Sequence, residues 1–178
     1  MAFFSFGEYK DDLGYKVVDE RVWRGSAGIM LLLGIIASIN GFILNKYEVI
    51  PYISGFLMIN FAIGVFVNPK FSPTALLSRM VTYNQSSLWI GAVQKRFAWS
   101  LGLGLSITIF VLSLQLVNDA SYFNPVCLLC LVCLLLLYLE SVFGICVGCQ
   151  IYHGAIRLKI IKAPEVKPNC MGDSCDVN

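Results

Sequence analysis

The sequence predicts an all-α integral membrane fold: a four-transmembrane-helix bundle with an interfacial helix between spans two and three, and both termini cytoplasmic. Three observations carry this. Hydrophobic residues make up 57% of the 178-residue chain and charged residues only 13%, where a soluble domain usually carries about 25% charged residues. The mean hydropathy is +0.73. The apolar residues are also gathered into four runs, each near the roughly 20 residues a helix needs to cross the hydrocarbon core.

The segment 1–24 mixes Glu8, Asp11, Asp12, Asp19 and Glu20 with Lys10, Lys16, Arg21 and Arg24. A cleavable secretory signal needs a basic start, an apolar run and a small-residue cleavage site. The first apolar run is therefore expected to stay as a membrane helix. The four spans are placed at about 25–44, 49–67, 97–117 and 125–144 within a membrane domain 25–162. Asn45-Lys46 closes the first, Asn68-Pro69 the second and Asn118-Asp119 the third, and Pro125 opens the fourth. Proline suits a first helical turn, because the amide it lacks would be unpaired there anyway. Helices are the natural spanning element, since lipid offers no partner to an open strand edge.

The stretch between spans two and three carries Phe71, Leu76, Leu77, Met80, Val81, Leu88, Trp89, Ile90 and Val93 among polar residues. It is too polar to cross and reads as an interfacial helix. Trp89 and Trp99 are expected at headgroup level, where tryptophan is enriched. Gly28, Gly34, Gly55, Gly64, Gly102 and Gly104 lie in the spans, as small residues do where membrane helices approach closely. The few polar residues inside them, Asn40, Asn60 and Gln115, leave no room for a wide aqueous path. The segment 163–178 reads as a polar, cysteine-containing tail.

Twelve of the 13 Lys and Arg residues fall in the N-terminal segment, the second loop and the C-terminal segment, leaving Lys46 alone. The positive-inside rule puts those three segments in the cytoplasm. The expected location is a bacterial inner membrane. The net charge of +2 and the lack of a dense basic run exclude nucleic acid as a partner.

Seven cysteines carry the chemistry. Cys127, Cys130 and Cys133 open the fourth span. Cys146 and Cys149 form a CxxC just past its end, and Cys170 and Cys175 lie in the tail. Two thiols so spaced can form a disulfide, with one held as a thiolate by its surroundings. That thiolate can then exchange with a partner disulfide. Cys146 and Cys149 are the expected reactive pair, with Cys127, Cys130, Cys170 and Cys175 as secondary thiols. The bland alternative is that buried cysteines pack as small hydrophobes. Sixteen residues separate Cys130 from Cys146, roughly 24 Å along a continuous helix, so the two groups cannot exchange directly. The tail pair, on the same side as Cys146, could reach it.

Metal binding is the rival chemistry. No metal is expected, but Cys146, Cys149, Cys170 and Cys175 would offer four thiolates to zinc. His153, four residues past Cys149, could replace one of them. Glu140 sits inside the fourth span, where an acid is costly and usually paired. Its expected partners are Arg21, Arg24, Lys95 or Arg96. Its expected role is an ion pair that locks helices together or, as the functional alternative, to tune or take a proton from the neighbouring thiols.

The segments Val18-Asp19-Glu20-Arg21-Val22, Phe71-Ser72-Pro73, Lys95-Arg96-Phe97-Ala98 and the stretch from Leu139-Glu140-Ser141-Val142-Phe143-Gly144 through Ile145-Cys146-Val147-Gly148-Cys149-Gln150-Ile151-Tyr152 resemble a bacterial membrane family catalogued as domain of unknown function 4395. The resemblance implies that Cys146, Cys149 and Glu140 belong to a shared pattern, and it brings no activity with it. The placement of Cys127 and Cys130 is also similar to that in quinone-linked thiol oxidases of the vitamin K epoxide reductase and disulfide-bond formation type. The loop 118–124, however, lacks the second cysteine pair such enzymes use. The leading expectation is a membrane-embedded thiol-disulfide redox or sulfur-handling protein. Its partner would be a thioredoxin-like protein, a sulfur carrier or a larger membrane complex, with zinc or a quinone as conceivable cofactors. The alternative is a structural or accessory membrane subunit with a Cys-ligated metal site or with inert cysteines.

Overall fold

The computed structural model describes residues 6–10 and 14–160. Two short strands, β1 (Glu8–Lys10) and β2 (Tyr15–Asp19), lead into helix α1 (Glu20–Phe42). Helix α2 (Val49–Ala62) continues into a π-helical turn, Ile63–Val67. A 3-10 turn (Pro69–Phe71), helix α3 (Pro73–Val81) and strand β3 (Trp89–Gly91) then lead to the long α4 (Ala92–Asn118). After a 3-10 turn at Ala120–Tyr122, α5 (Phe123–Tyr138) ends in a second π-helical turn, Leu139–Phe143, and α6 (Val147–Arg157) follows.

Four helical stretches are long and apolar enough to cross a membrane: Glu20–Phe42, Val49–Val67, Ala92–Asn118 and Ala120–Phe143. The protein is a multi-pass helical membrane protein. Its spans form a ring in which α1 packs on α2 and α5, and α4 packs on the same two. Helices α1 and α4 thus stand on the diagonal. Side chains such as Leu32, Ile36, Leu128, Leu131 and Leu135 point outward, exposed. That arrangement suits a lipid solvent, in which every backbone polar group is satisfied within its own helix.

At the end of the bundle that bears Arg21, Arg24, Lys70, Lys95 and Arg96, here the basic end, aromatic rings fill the diagonal. Trp99 stands edge-on to Trp23 at 4.5 Å and to Phe61 at 5.2 Å. A methyl group at Gly64 would fall inside the Trp99 ring, so this glycine sets how closely α2 can approach α4. Trp99, expected at headgroup level, is buried in the bundle at 4% exposure, and α4 begins at Ala92 rather than at 97. Likewise α1 begins at Glu20 rather than at 25, because Asp19 caps it: its Oδ1 accepts the Arg21 amide at 3.1 Å.

Within the expected interfacial helix, only Pro73–Val81 is an α-helix. Its Leu76, Leu77, Met80 and Val81 are exposed, as an interfacial element requires. Trp89 and Ile90 instead form β3, which pairs antiparallel with β2, Val17 opposite Gly91 and Val18 opposite Ile90. The order β1-β2-β3 makes a small sheet, an addition to the all-α bundle that the sequence reading did not contain. Val17 and Val18 of β2 are themselves buried, and a Glu8–Lys70 ion pair ties the outer strand to the turn after α2.

The fully buried Asn60 explains the Phe71-Ser72-Pro73 segment. Its Oδ1 accepts from the Thr74 amide at 3.1 Å, the Ser72 hydroxyl at 2.8 Å and the Thr74 hydroxyl at 2.9 Å. A side chain of α2 therefore caps the start of α3, satisfying an amide that has no partner within its own helix. Gln115, by contrast, is exposed and Asn40 half-buried, and the Asn40 amide returns to the Ile36 carbonyl at 2.8 Å.

Candidate functional site

The Leu139–Phe143 turn decides where the Cys146–Cys149 pair points. A π-helical turn inserts one residue into a helix and often marks a functional site. Here it is followed by Gly144 at φ +70°, a left-handed conformation that glycine adopts without steric cost. The Ile145 amide bonds back to the Leu139 carbonyl at 3.0 Å. Arg24, reaching from α1, donates Nη2 to the Val142 carbonyl at 2.8 Å and the Ser141 carbonyl at 3.4 Å. The end of the fourth span is thereby closed and the chain reversed into a fresh helix.

Cys146 is the N-cap of that helix. Its backbone is extended (φ −88°, ψ 98°) and its Sγ accepts the Cys149 amide at 3.3 Å. Sulfur thus takes the place that serine or aspartate oxygen usually fills, at the end of a helix where the dipole favours negative charge. The first turn of α6 lies directly on α4: a methyl group at Gly148 would come within 2.7 Å of the Ala98 Cα. Both sulfur-bearing residues remain partly exposed.

Beneath them lies a buried charge cluster. Lys95 of α4, with 2% of its side chain exposed, stands 2.8 Å from Glu140 Oε1 and 3.1 Å from Glu20 Oε2. Its ammonium also sits 5.8 Å from the centre of the Trp23 ring, within cation–π range. The cluster joins α1, α4 and the π-helical turn across the bundle's diagonal.

The two thiols are driven apart electrostatically. The Cys146 thiol is lowered below its ordinary value, first by the hydrogen bond it receives from the Cys149 thiol. The Lys95 charge and the Cys149 amide also lower it, against burial and the Glu140 charge. Cys149 is pushed far up by donating that hydrogen bond, by burial and by the neighbouring Cys146 charge. Deprotonation is thereby favoured at Cys146, and Cys149 is the thiol that keeps its proton. The site can therefore present one nucleophilic sulfur with a protonated sulfur ready beside it.

The structure brings Cys146, Cys149 and Glu140 together, and Lys95 is the member of the expected partner set that Glu140 takes. Cys127, Cys130 and Cys133 are not part of this group. Cys127 is buried, and Cys130 and Cys133 line a small apolar cavity of about 40 Å³ with Ile53, Leu57, Ile109 and Leu137. Cys170 and Cys175 lie outside the described residues. Among the described residues no three His, Cys, Asp or Glu side chains gather as a metal site. The ring of His153 packs at 5.7 Å from Tyr152.

Glu20 is the residue that sequence reasoning left out of the site, because it reads as an ordinary first-turn acid; Arg24, one of the expected partners of Glu140, instead binds the carbonyls of Ser141 and Val142. The signal was a charge pattern: acids at 20 and 140 and a lysine at 95 all fall within spans once the helices are extended to their capped starts.

Fold and site together define a multi-pass helical membrane protein with a dithiol at the basic end of its bundle. The family model described as Domain of unknown function (DUF4395) matches residues 18–157, and the chain belongs to that family. The matched stretch contains Glu20, Arg24, Lys95, Glu140, Cys146 and Cys149, and it ends before Cys170 and Cys175. No curated protein and no solved structure matches the chain.

Proposed function

We propose that this is a membrane-embedded thiol-disulfide redox or sulfur-handling protein whose reactive pair is Cys146 and Cys149, working at the cytoplasmic face of a bacterial inner membrane. The observation that carries the reading is the N-cap position of Cys146, where the Cys149 amide, the Cys149 thiol and Lys95 all favour a thiolate. The orientation rests on the basic residues gathered at that end.

The Cys146 thiolate attacks a disulfide or polysulfide R–S–S–R′. A Cys146 Sγ–S–R bond forms, the S–S bond breaks and R′S⁻ leaves as a thiolate. Cys149 then gives up its proton and attacks Cys146 Sγ, releasing RS⁻ and closing the Cys146–Cys149 disulfide. Two electrons pass to the substrate, and a dithiol partner of thioredoxin-like chemistry or a sulfur carrier returns them. Glu140 tunes the pair through Lys95.

The test is disulfide exchange by the purified full chain with an aromatic disulfide reagent. Cys146→Ser should lower the rate at least about a hundredfold, as loss of a nucleophile does. Cys149→Ser should accumulate a mixed disulfide on Cys146, visible as a mass increase. A Cys146→Ser protein that exchanges within twofold of the native rate would sink the proposal.

A further inference from the structure

The charges around the dithiol do not balance when Cys146 is a thiolate. The charged groups acting on it directly are Lys95 from α4 and Glu140 from the π-helical turn, and Glu20 and Arg24 of α1 join the set through Lys95 and the turn carbonyls. The two cations offset the two carboxylates. The thiolate then adds one uncompensated negative charge to a set whose central members are buried, and burial disfavours such a charge. Among the other ionic groups nearby, Arg21 lines the recess beside Glu20 but stands partly exposed, where solvent screens its charge, Asp19 caps α1 and accepts the Leu88 amide at 3.2 Å, and Arg79 of α3 feels Asp19.

We propose that Glu20 is the proton carrier of this site: it holds a proton while Cys146 stands as a thiolate, and releases it when the Cys146–Cys149 disulfide forms. The proposal rests on the reading above that this pair is a working redox couple. Two geometric facts choose Glu20 over Glu140. Glu140 makes the short 2.8 Å hydrogen bond with Lys95. Glu20 is 2% exposed, its Oε1 is 3.5 Å from Lys95 Nζ, and its Oε2, though 3.1 Å from the same nitrogen, is buried without a hydrogen bond. Glu20 also lines a recess of about 360 Å³ with Arg21, Arg24, Gln85 and Leu88, through which a proton can reach water at the basic end.

The balance is complete. The Cys146 thiolate, the Cys149 thiol and the Glu20 carboxylic acid together become the disulfide and the Glu20 carboxylate, with two electrons and two protons released. The disulfide substrate takes up both and becomes two thiols. Without the Glu20 proton, only one proton would accompany the two electrons.

The experiment equilibrates the full chain in nanodiscs with glutathione buffers of set potential, at pH values where Cys146 is a thiolate. The Cys146–Cys149 disulfide is scored by mass shift. The slope of the midpoint potential against pH reports protons per electron pair. The expected result is two protons in the native chain, one in Glu20→Gln and two again in Glu20→Asp. A purely structural role for Glu20 would change stability or midpoint and leave the slope at two. Should Glu20→Gln fail to fold, the native chain alone decides: a protonated-carboxyl infrared band must be present in the reduced form and absent from the oxidised one. A slope of one in the native chain, an unchanged slope in Glu20→Gln, or no such band overturns the proposal while leaving the redox reading standing. Absence of any reversible disulfide overturns both.

Discussion

Cys127, Cys130 and Cys133 and the pair Cys146 and Cys149 share one spacing, yet they sit in opposite settings. The first three lie within the unbroken helix α5, where Cys130 and Cys133 face an apolar cavity. Inside a helix each amide is already bonded to the carbonyl four residues back, so no N–H is free to reach a sulfur. The second pair follows a π-helical turn and a left-handed glycine, and Cys146 receives the amide that the new helix start leaves free. The lesson is that the backbone around a CxxC sets what its sulfurs meet. The same spacing mid-helix gives packing, and at a helix start it gives a sulfur that accepts an amide.

The sharpest way to break this contrast is to remove the charge beneath the reactive pair. Lys95→Met leaves Glu20 and Glu140 facing each other without a cation, and loss of one member of a buried ionic set costs about 3–5 kcal/mol. Unfolding in detergent should show a loss of that order. The same variant tests the electrostatics. A lowered thiol stays deprotonated as pH falls, so Cys146 in the native chain should react with iodoacetamide below the ordinary thiol value of about 8.5. Lys95→Met should move that pH profile upward. An unmoved profile would assign the thiolate to the helix start alone.

A smaller effect is expected where α6 lies against α4. Gly148→Ala places a methyl group against Ala98, a kind of overpacking that costs about 1–3 kcal/mol. It should also slow Cys146 alkylation, because α6 must lift to make room. The smallest effect belongs to the cavity thiols. Cys130→Ala should cost about 1 kcal/mol, the scale of deleting one small buried group, and leave disulfide exchange unchanged. A large loss of exchange would erase the distinction between the two groups.

Much of the fold was legible because a bilayer imposes one simple demand, length of apolar helix, and the four runs met it. The helix starts were not, because caps override hydropathy: Asp19 extends α1 back to Glu20, and Gly91 lets α4 begin at Ala92. Those extensions carry Glu20 and Lys95 into the bundle, so Glu20's place in the charge cluster was hidden, although Lys95 was already an expected partner of Glu140. Glu140 was found because an acid inside a span stands out. Cys146 and Cys149 were found by spacing, but the N-cap geometry that separates them from Cys127 and Cys130 depends on the π-helical turn, which no pattern in Leu139–Phe143 announces. The sheet was missed because neither Tyr15–Asp19 nor Trp89–Gly91 alternates as a long strand would. Their pairing exists because α1 and α4 bring them side by side.

That pairing also sets a timetable. Strand β2 is synthesised before the first span, and its partner β3 only after the second span and α3. At about 5–20 residues per second, the first strand waits several seconds with its edge open before Val17 can meet Gly91. The sheet therefore closes late in biogenesis, once the third span is entering the bilayer, and works as a latch fastened after two spans are already in place.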